Sequence, residues 1–213
     1  SERCLTGIPL AKYLEWYIHA TLPPGRIVGF GDPGVDMPPV LTSAVAGAAL
    51  YRNPVFQWFY EKYADKALPS HRNLSLETIL YDPTVKAHSP EGILPRGRAY
   101  REFAGIVTSR NRWIDSDSIV YAKCGCELNH GHADWGQLCI DGSNERLVVD
   151  LRSTPGYPRA DPHKYYNYQQ WGHNVFFVGD PDLGGTSIPA RDLRKAGCGG
   201  RLSESRFDET LGS

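Results

Sequence analysis

Gln137-Leu138-Cys139-Ile140, then Asp141-Gly142-Ser143-Asn144, then Leu147-Val148-Val149-Asp150-Leu151: two apolar, partly β-branched runs flank four turn-forming residues. Runs of this length and composition favour extended backbone. The Asp-Gly-Ser-Asn between them is a hairpin signal, because Gly and Asn tolerate the positive φ that a tight reversal needs. An antiparallel hairpin is therefore expected here. Its return leg ends at Asp150 and carries that carboxylate back toward the residues that precede the first strand.

Short β-type runs recur on both sides, at residues 100–108, 119–124 and 175–178. Before about residue 85 the pattern is different. Leu10, Tyr13, Leu14, Tyr17 and Ile18 recur at helical spacing. Pro23-Pro24-Gly25 then breaks the chain, and a loop with Gly29-Phe30-Gly31-Asp32-Pro33-Gly34 follows. Residues 41–50 predict a helix of small side chains, suited to close packing. Asn53-Pro54 starts another, with Asn as cap and Pro in the first helical position. Val55, Phe56, Phe59, Tyr60 and Tyr63 form its apolar face. Ser75 is expected to cap a short helix that runs to Tyr81. Pro83, Pro90 and Pro95 punctuate a linker. Helices followed by strands, not alternating with them, predict an α+β chain with segregated parts: helical residues 1–88 and β residues 89–213. No internal repeat is apparent. The pattern breaks off abruptly at both ends and Ser1 is not an initiator Met, so a processed or partial form of a longer protein is expected.

A length of 213 residues accommodates one domain, or one and a part. Hydrophobic residues make up 41% of the chain, with five Trp, twelve Tyr and seven Phe, enough to bury a core. The net charge of −1 leaves no basic stripe for nucleic acid and no acidic tail. The longest apolar run, residues 41–51, is too short and too rich in Ala and Gly to span a bilayer, so no membrane partner is expected. No signal peptide is visible. The five cysteines, at positions 4, 124, 126, 139 and 198, are odd in number and do not decide the redox compartment. Cys124-Gly125-Cys126 has no second half at zinc-ribbon spacing and reads as buried free thiols on strands.

The densest polar cluster is Asn129-His130-Gly131-His132-Ala133-Asp134. Two histidines at i and i+2 on an extended segment point to the same side, a common way to bring two imidazoles toward one ion. The hairpin return brings Asp150 toward His132, and His173 precedes the run at 175–178. Two imidazoles and a carboxylate suit zinc, with a fourth position for water or another ligand. Hydrogen-bonding structural histidines fit the same residues. His19, His71, His88 and His163 stand without companions and read as structural or surface residues.

The string His130-Gly131-His132-Ala133-Asp134, a hairpin, Val149-Asp150-Leu151, Gly156-Tyr157, a tyrosine-rich stretch and His173-Asn174-Val175-Phe176-Phe177-Val178-Gly179 resembles the heparinase II/III family of polysaccharide lyases. It is also similar to the related exo-type alginate lyases. Gly29-Phe30-Gly31-Asp32 looks like that family's loop between late toroid helices. Leu94-Pro95 through Arg110-Asn111-Arg112-Trp113 looks like the entry into its β-domain. The resemblance covers nearly the whole chain. It implies the C-terminal helices of an (α/α) toroid over residues 1–88, then an antiparallel β-sandwich, incomplete, over residues 89–213, with the active cleft between them. It also implies a zinc ion held by His132, Asp150 and His173, with His130 acting on substrate. Tyr157, Tyr165, Tyr166 and Tyr168 fall where the family has a cleft tyrosine. Tyr166 is the catalytic candidate and the other three are candidates for substrate contact, although stacked tyrosines on strands also serve as packing. Arg110 and Arg112 are candidates for bidentate binding of substrate carboxylates or sulfates, or else solvent-facing charges at a strand end. The implied reaction is β-elimination on a uronic-acid polysaccharide by a secreted or periplasmic enzyme. The implied partners are the acidic polysaccharide, the remainder of the same protein and, in some forms, further copies of the chain.

The chain departs from the family in one respect. The family's catalytic tyrosine and a second histidine sit on earlier toroid helices, and no matching motif precedes residue 20. The 213-residue chain alone is therefore expected to have little lyase activity. Two other classes compete. A cupin-like metal oxygenase also begins its site with His-x-His, but needs a Glu shortly after, where this chain has Asp134-Trp135-Gly136-Gln137. A non-catalytic carbohydrate-binding or structural β-domain that keeps the zinc is the other.

Overall fold

A computed structural model describes residues 10–23, 25–30, 38–66, 72–100, 105–114, 118–124, 134, 136–143, 145–150, 172–175, 204, 206 and 207. The chain is an α+β mixture of helices and antiparallel strands. It divides into two compact units. One holds residues 1–27, 38–95 and 112–115, and the other holds residues 28–37, 96–111 and 116–213.

Four helices are described in the first unit: α1 (Leu10–His19), α2 (Thr42–Tyr51), α3 (Pro54–Tyr63) and α4 (Leu74–Leu80). Leu14, Tyr17 and Ile18 of α1 pack with Ala44 and Ala48 of α2 and with Val55, Phe56, Phe59 and Tyr63 of α3. Trp113 closes the same core, and its indole N–H donates to Leu94 O at 3.0 Å. The small residues of α2 do what small residues permit: Gly47 lies against Leu14 and Phe56, with no room for a methyl group. Asn53 caps α3 as expected, its Oδ1 accepting from Val55 N at 2.9 Å and Phe56 N at 3.2 Å. Two sequence expectations are corrected. Asn73, not Ser75, caps α4, its Oδ1 accepting from Leu76 N at 3.0 Å, and Ser75 lies inside the helix. Pro23-Pro24-Gly25 is not a simple break: β1 (Thr21–Leu22) and β2 (Arg26–Ile27) pair antiparallel around it, with Gly25 at φ +129°.

In α4 the only buried residue is the charged Glu77, while Leu74, Leu76 and Ile79 are exposed. Glu77 accepts hydrogen bonds from Thr42 Oγ1 (2.9 Å), Tyr60 OH (3.3 Å), and Arg72 Nε (3.0 Å) and Nη2 (2.6 Å). It therefore links α2, α3 and α4 through one carboxylate. Helix α4 is tied down by charge and hydrogen bonds, not by an apolar stripe.

The second unit contains a five-stranded antiparallel meander in the order β3 (Gly97–Tyr100), β4 (Ile106–Arg110), β5 (Ser118–Lys123), β6 (Gln137–Gly142) and β7 (Glu145–Val148). The single run expected over residues 100–108 is two strands, with Gly105 at φ +63° just before the second. The hairpin expected at residues 141–144 is present, with Gly142 opposite Glu145 and Ser143 at φ 52°. Strand alternation buries one face: Thr108, Tyr121 and Cys139 are in line across β4, β5 and β6. Arg110 and Ile119, and Lys123 and Gln137, are paired on the same face. Charged groups thus share a buried face with Tyr100, Ile106 and Ile119.

Candidate metal and substrate site

The strand β7 is shorter than its sequence run. Its register slips beside β6, with Asp141 opposite Arg146 but Ile140 opposite Val148. The extra residue is a β-bulge, which bends the strand and ends its pairing. Val149 and Asp150 therefore leave the ladder. Another segment takes up the β6 backbone they give up: Leu138 N donates to Asn174 O at 3.0 Å. Asn174 Nδ2 donates to Val149 O at 2.6 Å. Residues 172–175 are thereby sewn to β6 and to the exit of β7. Val175 is not in a strand, and residues 176–178 of the expected run lie outside the described residues.

This stitching brings together two of the three metal candidates. His173 Nδ1 lies 2.8 Å from Asp150 Oδ1, with the two side chains 0% and 6% exposed. The contact holds the imidazole in one orientation and gives the carboxylate a hydrogen-bond donor in a water-poor setting. Close to Asp150, Cys139 is a free, fully buried thiol. Gln137 Nε2 lies 3.6 Å from its sulfur, and the Tyr121 hydroxyl and the Asp150 backbone N–H also reach it. Burial, and then the charge of Asp150, push the Cys139 thiol up to about 11. Burial, with the nearby Cys139 and Asp141, likewise raises the Tyr121 phenol.

The donor set is one that zinc accepts: a carboxylate oxygen and an imidazole nitrogen, both buried. Two donors on a tetrahedral zinc at about 2.0–2.1 Å stand about 3.3 Å apart, so an ion taken by these two atoms would displace the Nδ1 proton and replace the 2.8 Å Asp150–His173 hydrogen bond. Among the described residues no group of three or more His, Cys, Asp and Glu is arranged to hold a metal. The third candidate ligand, His132, lies outside the described residues, as do His130, Tyr157, Tyr165, Tyr166 and Tyr168. Arg110 is buried, at 7% exposure, on the inner face of β4. Arg112 is exposed.

Sequence reasoning missed one member of the neighbourhood. Lys123 ends β5, and its Nζ lies 2.6 Å from Asp134 Oδ1, with the side chains 7% and 0% exposed. The signal was available. Ile119, Tyr121 and Lys123 alternate in phase, so a lysine at the third position of a buried face requires an anionic partner nearby.

A solved structure described as a heparinase III gene product is similar to 77% of this chain, with a TM-score of 0.54 and 16% identity. The chain shares the heparinase III fold over that span. It covers 23% of the heparinase III chain. No protein-family model and no curated protein sequence matches it. Among the described residues no helix is long and apolar enough to cross a membrane.

Proposed function

We propose that the chain is part of a polysaccharide lyase that cleaves uronic-acid-containing polysaccharide by β-elimination, with a zinc ion held by His132, Asp150 and His173. The observation that carries this reading is the buried Asp150–His173 contact, formed by residues far apart in sequence at two of the three positions where the heparinase II/III resemblance puts metal ligands. The likeness in fold to heparinase III supports it. On this reading residues 1–88 belong to an (α/α) toroid and residues 89–213 to a β-sandwich. The enzyme is exported from the cytoplasm, as contact with an extracellular polysaccharide requires.

In the proposed reaction a base takes the proton from C5, next to the sugar carboxylate. The electron pair left behind forms the C4–C5 double bond, and the C4–O bond breaks. A general acid protonates the departing glycosidic oxygen. The C5 proton is weakly acidic until the carboxylate charge is neutralised by hydrogen bonds or cations. His130 serves as the base for one C5 epimer or as a donor to the carboxylate. Tyr166 is the candidate acid, and Tyr157, Tyr165 and Tyr168 contact the sugar. Arg112, being exposed, is better placed than the buried Arg110 to bind a carboxylate or sulfate of the substrate. The zinc, when bound, supplies a structural cross-link between the segments that carry its ligands.

The test is an absorbance assay for the unsaturated product with heparan sulfate, chondroitin sulfate and alginate. It is run on this chain and on the longest product of its gene. Turnover of one uronate polymer by the gene product, with little by the 213-residue chain, is expected. No unsaturated product from any uronate polymer in either form would overturn the reading.

A further inference from the structure

In the helical unit, α1, Val40 and the first turn of α2 bound a cavity of about 80 Å³, lined by Tyr13, Leu14, Tyr17, Val40 and Ser43. That volume matches about two to three waters at a liquid share of about 30 Å³ each. It is far below the roughly 300 Å³ at which a pocket begins to enclose a whole small molecule. The cavity therefore admits one small substituent of a larger ligand. Tyr13, 40% exposed, brings it to the surface. The Tyr13 ring is held in an aromatic cluster, its centroid 5.7 Å from Trp16 and 6.0 Å from Tyr17.

Two hydroxyl groups at this cavity have hydrogen-bonding capacity that the fold does not use. Tyr17 is 7% exposed, and its phenol oxygen accepts from Val40 N at 2.9 Å. That contact places the oxygen at the Val40 wall and occupies a lone pair, not the O–H. The O–H finds no acceptor among the described residues. Burial, opposed by the Val40 N–H, raises the Tyr17 phenol above its ordinary value, so it keeps this proton at neutral pH. A buried donor without an acceptor is costly, and a ligand that accepts from it removes the cost. Ser43, half-buried in the first turn of α2, makes no side-chain hydrogen bond among the described residues either.

The lining selects the chemistry of the ligand. None of the five residues is charged. The positive end of α2 is already answered by Glu77, which accepts from Thr42 Oγ1 at 2.9 Å. A carboxylate or sulfate would lose its hydration here with no cation to meet it. A neutral acceptor with an apolar end fits: a carbonyl oxygen for the Tyr17 and Ser43 hydroxyls, and a methyl group against Leu14 and Val40. We propose that this cavity binds the acetamido group of an N-acetylated amino sugar, with the sugar ring against the exposed ring of Tyr13. The site is built wholly within the helical unit, so the proposal stands apart from the zinc and lyase readings above.

The experiment titrates the whole 213-residue chain with N,N′-diacetylchitobiose, cellobiose and glucuronic acid, and follows binding by saturation-transfer difference NMR. Cellobiose has the same linkage with hydroxyls in place of the acetamido groups, and glucuronic acid supplies a carboxylate. Diacetylchitobiose is expected to bind about tenfold more tightly than either, as one added buried hydrogen bond allows. The strongest transfer should fall on its acetyl methyl protons. Tyr17→Phe keeps the ring and removes the O–H. It should weaken diacetylchitobiose about tenfold and leave the response to cellobiose unchanged, with a melting curve to show that the variant is folded. Should it not fold, Ser43→Ala, which a helix tolerates well, decides in its place: about a fivefold loss or more supports the proposal, and native affinity overturns it. No saturable binding of diacetylchitobiose, equal affinity for cellobiose, tighter binding of glucuronic acid, or native affinity in a folded Tyr17→Phe chain would each overturn the proposal.

Discussion

Glu77→Gln should destabilise the helical unit far more than an ordinary substitution of one carboxylate. Glu77 is 1% exposed, and its two oxygens accept from Thr42, Tyr60 and twice from Arg72. The glutamine keeps the shape but loses the charge that faces the Arg72 guanidinium. Breaking a buried ion pair from one side typically costs about 3–5 kcal/mol, because the remaining charge is stranded. The Arg72 side chain is 15% exposed and also donates to Ala64 O at 2.7 Å, so some of its charge stays solvated. That places the expected loss near the lower end, about 3 kcal/mol. For a chain of this size the loss lowers the melting temperature by about 6–12 °C. The assay is thermal unfolding followed by far-ultraviolet circular dichroism. Glu77→Leu/Arg72→Met, which removes both charges, should recover most of the loss. The pH dependence has a definite sign. Burial alone would raise the Glu77 carboxyl, but the hydrogen bonds from Arg72 and Thr42 and the Arg72 charge outweigh it and hold the carboxyl below the ordinary carboxylate range. A depressed folded-state value stabilises the fold above the unfolded value, about 4.3, and that contribution is lost as pH falls through the folded value. The gap between the native chain and Glu77→Gln should therefore hold steady between about pH 5 and 7 and shrink in more acidic buffer. A Glu77→Gln chain that melts within about 2 °C of native at pH 7 would refute the view that α4 is held by this carboxylate.

Asn53→Ala should cost about 1 kcal/mol by freeing the Val55 and Phe56 N–H groups at the start of α3, seen as a lower urea midpoint with an unchanged slope. Cys139 should resist alkylation by iodoacetamide at pH 7.5 in the folded chain, because its thiol is fully buried and pushed up to about 11, and should react once urea unfolds it; mass spectrometry of the modified peptide reads the outcome. Rapid labelling of Cys139 in the native chain would mean that the thiol beside Asp150 is open to solvent.

The helices were legible where apolar spacing and cap chemistry agree. Leu14, Tyr17 and Ile18 mark α1 by period, and Asn53-Pro54 marks the start of α3 by mechanism. The cap of α4 was misread because both Asn73 and Ser75 can accept from a helix N–H. The deciding feature is tertiary: the helix must turn Glu77, not a leucine, toward Arg72 and Thr42. Gly105 inside an otherwise strand-like run carried the sign of a reversal, and the reading of residues 100–108 as one strand passed over it. At the candidate site, the hairpin was visible in the chain. The route by which His173 reaches Asp150 was not, since it depends on a register slip in β7 and on Asn174 taking over the β6 backbone. Neither leaves a local signature. The Lys123–Asp134 pair was half visible, as a lysine in phase with buried residues whose partner only the fold could name.

Metal content bears most directly on the proposed site. The native chain, purified without chelator, is expected to carry one zinc per molecule by elemental analysis. His132→Ala, Asp150→Ala and His173→Ala are each expected to lose it, with a lower melting temperature, because metal bound only to the folded state adds to its stability. His130→Ala is expected to keep it, which would separate the residue proposed to act on substrate from those proposed to hold the ion. Absence of stoichiometric zinc from the native chain, or loss of zinc in His130→Ala with retention in His132→Ala, would contradict the assignment.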